Sequence, residues 1–323
     1  MIPYLQIPSI PIFDRPMIHP FGILVATGIL VGASLTVRRG RQLGLLEENV
    51  KNMIFWTVFT GFVVSHFVDV LVYQNDLTWT QKLQALADPR SGLSSMGGFA
   101  GAVLGLYVWC RRNNEPVLPY ADSLAYGLAT GWMFGRLGCF VAHDHPGSET
   151  TFFLGVDYPC PVPHCLNVGD GLYYVGERFR RHDLGLYEAI SAASLAGFYF
   201  ISERFKPRVG YFVAAIATFY GPVRFLLDYL RIDKIRGADP RYLGLTPAQY
   251  AAIAVIAIGI ALIVRVSKIP AGAIRADGTQ PGSLPTPATP SPPAAEAPAA
   301  ETPAATPAAD KPATEASESK KPS

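Results

Sequence analysis

Seven stretches of roughly 18 to 23 mainly apolar residues, each set off by charged or turn-forming loops, constrain this chain more than any other feature of it. They run approximately Met17–Val37, Asn52–Tyr73, Leu93–Cys110, Tyr120–Ala142, Gly185–Ser202, Gly210–Leu230 and Pro247–Val266. A hydrocarbon layer about 30 Å thick is crossed by about 20 helical residues, and inside it the backbone must satisfy its own N–H and C=O groups. The expected fold is therefore an all-α integral membrane protein with seven transmembrane helices. No charged segment precedes a cleavable apolar stretch, so the first run is expected to be a retained helix. The third run is short and carries Gly97, Gly98, Gly101 and Gly105, which predicts either close helix contact or a locally broken helix beside a cavity.

Composition agrees, since 50% hydrophobic against 16% charged residues is too apolar for most soluble chains of 323 residues. The apolar residues lie upstream of Lys268, because the stretch from there to Ser323 is nearly all Ala, Pro, Glu, Thr, Ser and Lys. Such a segment has little to bury and is expected to be disordered. The division is a membrane domain over 1–267, with a long loop at about 143–184, and a tail over 268–323. A net charge of +2 gives no basis for a nucleic-acid partner.

Arg38, Arg39, Arg41 and Lys51, then Arg111 and Arg112, then Arg204, Lys206 and Arg208 fall on one side of the expected bundle. Lys and Arg in short loops mark the cytoplasmic face. The N-terminus and the loop 143–184 are then outside and the tail cytoplasmic, although Lys234, Arg236 and Arg241 on the opposite face weaken the bias. The implied location is a multi-pass position in a membrane, with the tail on its cytoplasmic side. Cys160 and Cys165 flank Pro-Val-Pro-His in that loop. A local disulfide is favoured there over a metal site using His164 and His182, since no second close cysteine pair completes a zinc site. No metal and no cofactor are expected.

Ionisable residues inside the runs are where function is sought, because each costs about 2.5–3.5 kcal/mol at a helix centre. Arg136 is one. Arg224, Asp228 and Arg231 share one stripe of the sixth run at spacings of four and three. Arg224 and Asp228 are placed to pair, leaving Arg136 and Arg231 for another partner. A guanidinium presents a planar fork of donors suited to a phosphate diester. The alternative is that these arginines only tie helices together.

Three ordered segments then carry a resemblance. They are Gly135-Arg136-Leu137-Gly138-Cys139-Phe140 with Asp144 and Gly147 following, Arg181-His182-Asp183-Leu184-Gly185-Leu186-Tyr187-Glu188-Ala189, and Tyr220-Gly221-Pro222-Val223-Arg224 with Asp228 and Arg231. Together, from about Met17 to Val266, the chain resembles the prolipoprotein diacylglyceryl transferases. The resemblance implies seven spans with the N-terminus outside. It also implies transfer of the diacylglyceryl group of phosphatidylglycerol to the lipobox cysteine thiol of a prolipoprotein signal peptide, releasing glycerol phosphate. Arg136 and Arg224 match the two critical arginines of the family and are expected to bind phosphate, with Arg231, Gly97, Gly98 and Gly147 lining the lipid site. Asp228, Arg181, His182, Tyr187, Glu188 and Gln249 are expected to support it.

The chain departs from the family where Met96-Gly97-Gly98 replaces His-Gly-Gly, where Cys139 and Ala142 replace Asn, and where Phe21 replaces Tyr. Methionine cannot accept the thiol proton that a family histidine is proposed to take. His143, Asp144 and His145 stand beside the family's acidic position and offer a substitute base, since imidazole titrates near neutral pH; the competing reading is a polar cap on a helix end. Two other functions remain open at this point: a catalytically silent or altered-substrate relative that binds phospholipid or lipoprotein precursor, and a transporter or channel.

Overall fold

The computed structural model describes residues 2–5, 7, 10–11, 17–74, 77–88, 91–159, 178–205, 207–231 and 241–268. Cys160, His164, Cys165 and the tail beyond Lys268 lie outside the described residues.

The described chain is mostly helical. Eight α-helices are α1 Pro20–Gln42, α2 Glu47–Val68, α3 Trp79–Ala87, α4 Ser95–Arg112, α5 Val117–Ala142, α6 Leu184–Ser202, α7 Tyr211–Leu227 and α8 Pro247–Ser267. Five helical segments are long and apolar enough to cross a membrane: Pro20–Gln42, Glu47–Tyr73, Leu184–Phe205, Tyr211–Leu230 and Pro247–Ser267. Helices α4 and α5 are long, but their apolar runs are diluted by glycines in the first and by Asp122, Ser123, Thr130 and Arg136 in the second.

The basic clusters that the sequence places in loops belong largely to helix ends. Arg39 and Arg41 sit in the last turn of α1, and Arg111 and Arg112 in that of α4, where the partial negative charge of the terminal carbonyls favours a cation. The glycine-rich third run is an unbroken helix, capped by Ser94 Oγ accepting the Gly97 N–H at 3.3 Å. Its glycines serve close packing. A methyl group on Gly101 would lie 2.5 Å from the Thr60 carbonyl oxygen of α2. Gly127 of α5 faces Gly32 of α1 in the same way, at 2.1 Å from its carbonyl oxygen. Small residues at such contacts let backbones approach where lipid supplies no hydrophobic drive between helices. Large apolar side chains point outward instead, with Val103 68% and Phe55 61% exposed.

Strands join the helices at one end, which we call the head. β1 Ile2–Pro3, β4 Pro146–Glu149, β5 Val156–Pro159 and β6 Arg178–Asp183 form a sheet in the order β1-β5-β6-β4. The first pair is parallel and the others antiparallel. A separate ribbon pairs β2 Ile10–Pro11 with β3 Met17–Ile18. The loop expected from 143 to 184 thus contains much of a sheet that also takes up the start of the chain.

At the other end, a buried ion pair joins three helices. Arg39 of α1 reaches Asp122 of α5 at 3.2 Å, and its guanidinium lies 4.8 Å from the Phe212 ring of α7. The same carboxylate accepts the Phe212 N–H at 2.7 Å, capping α7.

Candidate active site

Three guanidinium groups and two carboxylates run in alternation across α5, α6, α7 and the turn Asp228–Leu230 that follows α7. Arg136 Nε meets Glu188 Oε2 at 2.9 Å, and the other oxygen of Glu188 lies 3.8 Å from Arg224 Nη1. Arg224 Nη2 meets Asp228 Oδ1 at 3.2 Å, with Arg231 Nη1 3.9 Å from that oxygen. Thr246 Oγ1 donates to Asp228 Oδ2 at 2.5 Å. The Arg224–Asp228 contact follows from the four-residue spacing, but Arg136 is not left over, because Glu188 holds it. With every group ionised the row carries one net positive charge, the complement of a phosphodiester monoanion. Asp228 and Glu188 are buried at 0% and 2% exposure, where little water competes for the charges.

Aromatic rings border this row. Trp132 lies one helical turn before Arg136, with its ring 4.4 Å from the guanidinium carbon. Phe99 of α4 packs on Trp132 at 4.8 Å between centroids, and Tyr220 of α7 lies 5.9 Å from the same ring. Trp132 Nε1 is a buried donor with no hydrogen-bond partner among the described residues. Buried donors are normally satisfied, so this one marks a place where an acceptor is wanted. Sequence reasoning passed over Trp132; a polar indole N–H in an apolar run, one turn before an arginine, was the available signal.

The supporting residues hold the row's surroundings in place. Gln249 pairs reciprocally with Thr246, accepting its N–H at 3.0 Å while Thr246 Oγ1 accepts the Gln249 N–H at 3.2 Å. That capping box fixes the start of α8 beside Asp228. Arg181 donates to the Gly147 carbonyl at 3.3 Å and to Glu149 at 3.2 Å. His182 Nδ1 lies 2.8 Å from the Tyr187 hydroxyl, and burial holds its imidazole below the usual range. Gly147 bridges Arg231, and a methyl on it would stand 2.6 Å from the Leu230 carbonyl oxygen. Gly97, expected at the lipid site, is turned against α2, where a methyl would meet Val68 at 2.7 Å. Gly98 is less confined, its nearest neighbour being Ser65 Oγ at 3.8 Å. Met96 is 37% exposed on the first turn of α4.

The structure separates the two histidines that the sequence grouped. His143 ends α5 in the left-handed conformation, φ 53°, and is buried at 4% exposure. Its Nδ1 faces Asp183 Oδ2 at 3.4 Å, its Nε2 faces the Leu5 carbonyl at 3.1 Å, and its ring stacks on Tyr4 at 3.9 Å. Both nitrogens are thus engaged inside the head, which leaves neither facing a substrate. Asp183, given no role in the sequence beyond its place in a motif, is the hub: it also accepts from Tyr158 at 2.8 Å and caps α6 through the Leu186 N–H at 2.9 Å. The left-handed turn sends Asp144 and His145 back beside Cys139, and His145 Nδ1 bonds Asp144. Burial works against a charge on His145, but its bonds to the Asp144 carboxylate and to Cys139 outweigh it and push the imidazole up to about 9. The ring therefore holds its proton at neutral pH in this arrangement, unlike the free base anticipated. Cys139 is packed against Gly185 of α6, and Phe21 lies on Gly138.

Comparison with known proteins fits these positions. The family model described as prolipoprotein diacylglyceryl transferase matches residues 10–265. The phosphatidylglycerol–prolipoprotein diacylglyceryl transferase of Bacillus cytotoxicus is 26% identical over 265 residues, covering 79% of this chain and 93% of that protein. Its namesake in Clostridium tetani is 24% identical over 245 residues, covering 75% and 91%, and that of Staphylococcus carnosus is 26% identical over 249 residues, covering 76% and 86%. With the match spanning the helices that carry Arg136, Glu188, Arg224 and Asp228, the chain belongs to the prolipoprotein diacylglyceryl transferase family.

Proposed function

We propose that this protein transfers the diacylglyceryl group of phosphatidylglycerol to the thiol of a prolipoprotein lipobox cysteine. It does so as a seven-span enzyme of the bacterial cytoplasmic membrane, with its N-terminus and head in the periplasm and its C-terminus in the cytoplasm. The observation that carries this reading is the row of three arginines and two buried carboxylates, whose surplus of one positive charge suits one phosphodiester.

In the proposed reaction the lipid phosphate takes a place beside Arg136 and Arg224, each of which shares Glu188 and has donors left to offer. Arg231, at the head end of the row, receives the glycerol phosphate as its charge grows. Trp132 Nε1 supplies a further donor to a phosphate or ester oxygen. The cysteine sulfur attacks the glycerol carbon that bears the phosphate, the C–S bond forms, the C–O bond breaks, and its electron pair leaves on glycerol phosphate. Only the thiolate is nucleophilic enough, so the thiol must be activated. With methionine at position 96, that task falls to the end of α5, where Cys139, Asp144 and His145 meet.

Incubating the purified protein with phosphatidylglycerol vesicles and a lipobox peptide should add one diacylglyceryl mass to the peptide cysteine. A protein that binds these vesicles yet modifies no lipobox peptide at any pH would instead be a silent relative, the reading that the methionine at position 96 favours.

A further inference from the structure

The last turn of α5 and the reversal at His143 bring together three groups that a continuous helix would hold apart. Asp144 and His145 follow Cys139 by five and six residues, which along a helix means about 7.5 and 9 Å of rise and faces turned about 140° and 120° away from it. The left-handed His143, φ 53° and ψ 36°, turns the chain back. One ligand atom each from Cys139, Asp144 and His145 then lies within 4.8 Å of the others. The set is a thiol, a carboxylate and an imidazole, the three side-chain types that bind Zn²⁺.

We propose that Cys139, Asp144 and His145 form a three-ligand site for a zinc ion, whose fourth position receives the thiol of the incoming cysteine. Three protein ligands with one open position is the pattern of catalytic rather than structural zinc. Tetrahedral coordination needs ligand atoms roughly 3.5 Å apart, so the Asp144–His145 hydrogen bond must open, with the imidazole proton lost to solvent as zinc takes its place, while the wider separations of the cluster close by about 1 Å. Asp144 and His145 have side chains 44% and 32% exposed, which leaves them room to exchange their mutual bond for bonds to the metal. Cys139 is the better fixed partner, its Cβ region packed against Gly185.

The catalytic role rests on the transfer reading above and answers its open step. Zinc held three residues beyond Arg136 takes the substrate sulfur as thiolate, the S–H proton passing to solvent at the head. The sulfur then forms the C–S bond as the C–O bond to phosphate breaks, the electron pair departing on glycerol phosphate. Zinc keeps its charge throughout. No separate base is required, which accounts for a chain that has methionine at position 96.

The test uses the full-length protein in detergent, stripped with chelator and titrated with Co²⁺ as a spectroscopic stand-in for Zn²⁺. One equivalent should bind with a thiolate-to-cobalt charge-transfer band, kept when Cys160 and Cys165 are both replaced by Ser. Cys139→Ser should abolish the band, and Asp144→Asn should weaken binding by at least about tenfold while the thermal unfolding curve keeps its cooperativity. No thiolate band, or one that survives Cys139→Ser, overturns the site. Full-rate transfer to a lipobox peptide in excess chelator overturns its catalytic role and leaves the transfer reading standing. Metal bound through Cys139 in a protein that transfers nothing to such a peptide overturns the transfer reading and leaves the site as a structural ion.

Discussion

At the scale of single residues, the charges decide. Arg136 makes its contact to Glu188 through Nε, which leaves N–H donors at the end of its fork for a ligand, and the same carboxylate holds Arg224. Lysine keeps the charge and loses the fork. Arg136→Lys and Arg224→Lys should each lower transfer by about 10²–10³-fold with the fold intact, as removing an oriented donor does in other enzymes. Wild-type rates from either variant, measured as lipidated peptide per minute, would refute the phosphate role. His143 and His145 should behave differently from each other. His143→Ala removes a ring stacked on Tyr4 and facing Asp183 and Leu5, so it should reduce the amount of folded protein more than the rate per folded molecule. His145→Ala should leave folding intact and remove transfer. Equal rates per folded molecule in the two variants would show that the separation seen in the structure has no functional meaning.

At the scale of elements, helix contacts depend on what is missing from side chains. A methyl on Gly127 would lie 2.1 Å from the Gly32 carbonyl oxygen and 2.2 Å from Thr36 Oγ1, so α1 and α5 cannot keep their approach once it is added. Gly127→Ala should therefore cost about 1–3 kcal/mol, read as a lower unfolding temperature in detergent. An unchanged curve would mean that the helices separate cheaply. The helices themselves were legible because an apolar run needs no partner to declare itself. Their ends were not, since Arg39 and Arg41 read as loop residues while in fact finishing α1. The Arg39–Asp122 pair was hidden for a related reason: its members lie 83 positions apart, and neither neighbourhood hints at the other. Strand β4 of the head was invisible because Pro146–Glu149 reads Pro-Gly-Ser-Glu, with no alternation and no β-branched residue, and β5, Val-Asp-Tyr-Pro, is too short for its alternation to stand out. In the site, Arg224 and Asp228 were legible from helical spacing alone. Glu188 came only from a motif, and its bond to Arg136 depends on how α5 and α6 meet.

At the scale of the molecule, sidedness can be argued from hydrogen bonds as well as from charge. β1 pairs with β5, Ile2 opposite Val156, so both lie on one side of any membrane and an even number of crossings separates them. Of the helices between them, α1 and α2 are long and apolar enough to cross, which meets that parity, and the proposed seven-span arrangement, which adds α4 and α5, keeps it. Cysteines placed at Thr151 in the head and at Asn113 between α4 and α5 should therefore differ: a membrane-impermeant thiol reagent added outside intact spheroplasts should label the first and not the second. Labelling of both or neither would break the proposed orientation. The β1–β5 pairing also sets an order of assembly. Its two strands are about 150 residues apart, so β1 must wait until the helices between them have been made before finding its sheet. The Leu5 carbonyl that faces His143 arrives with that strand. A chain halted after α5 would therefore have its first helices but no finished head, which forms only when the segment around Ile2 closes onto the middle of the chain.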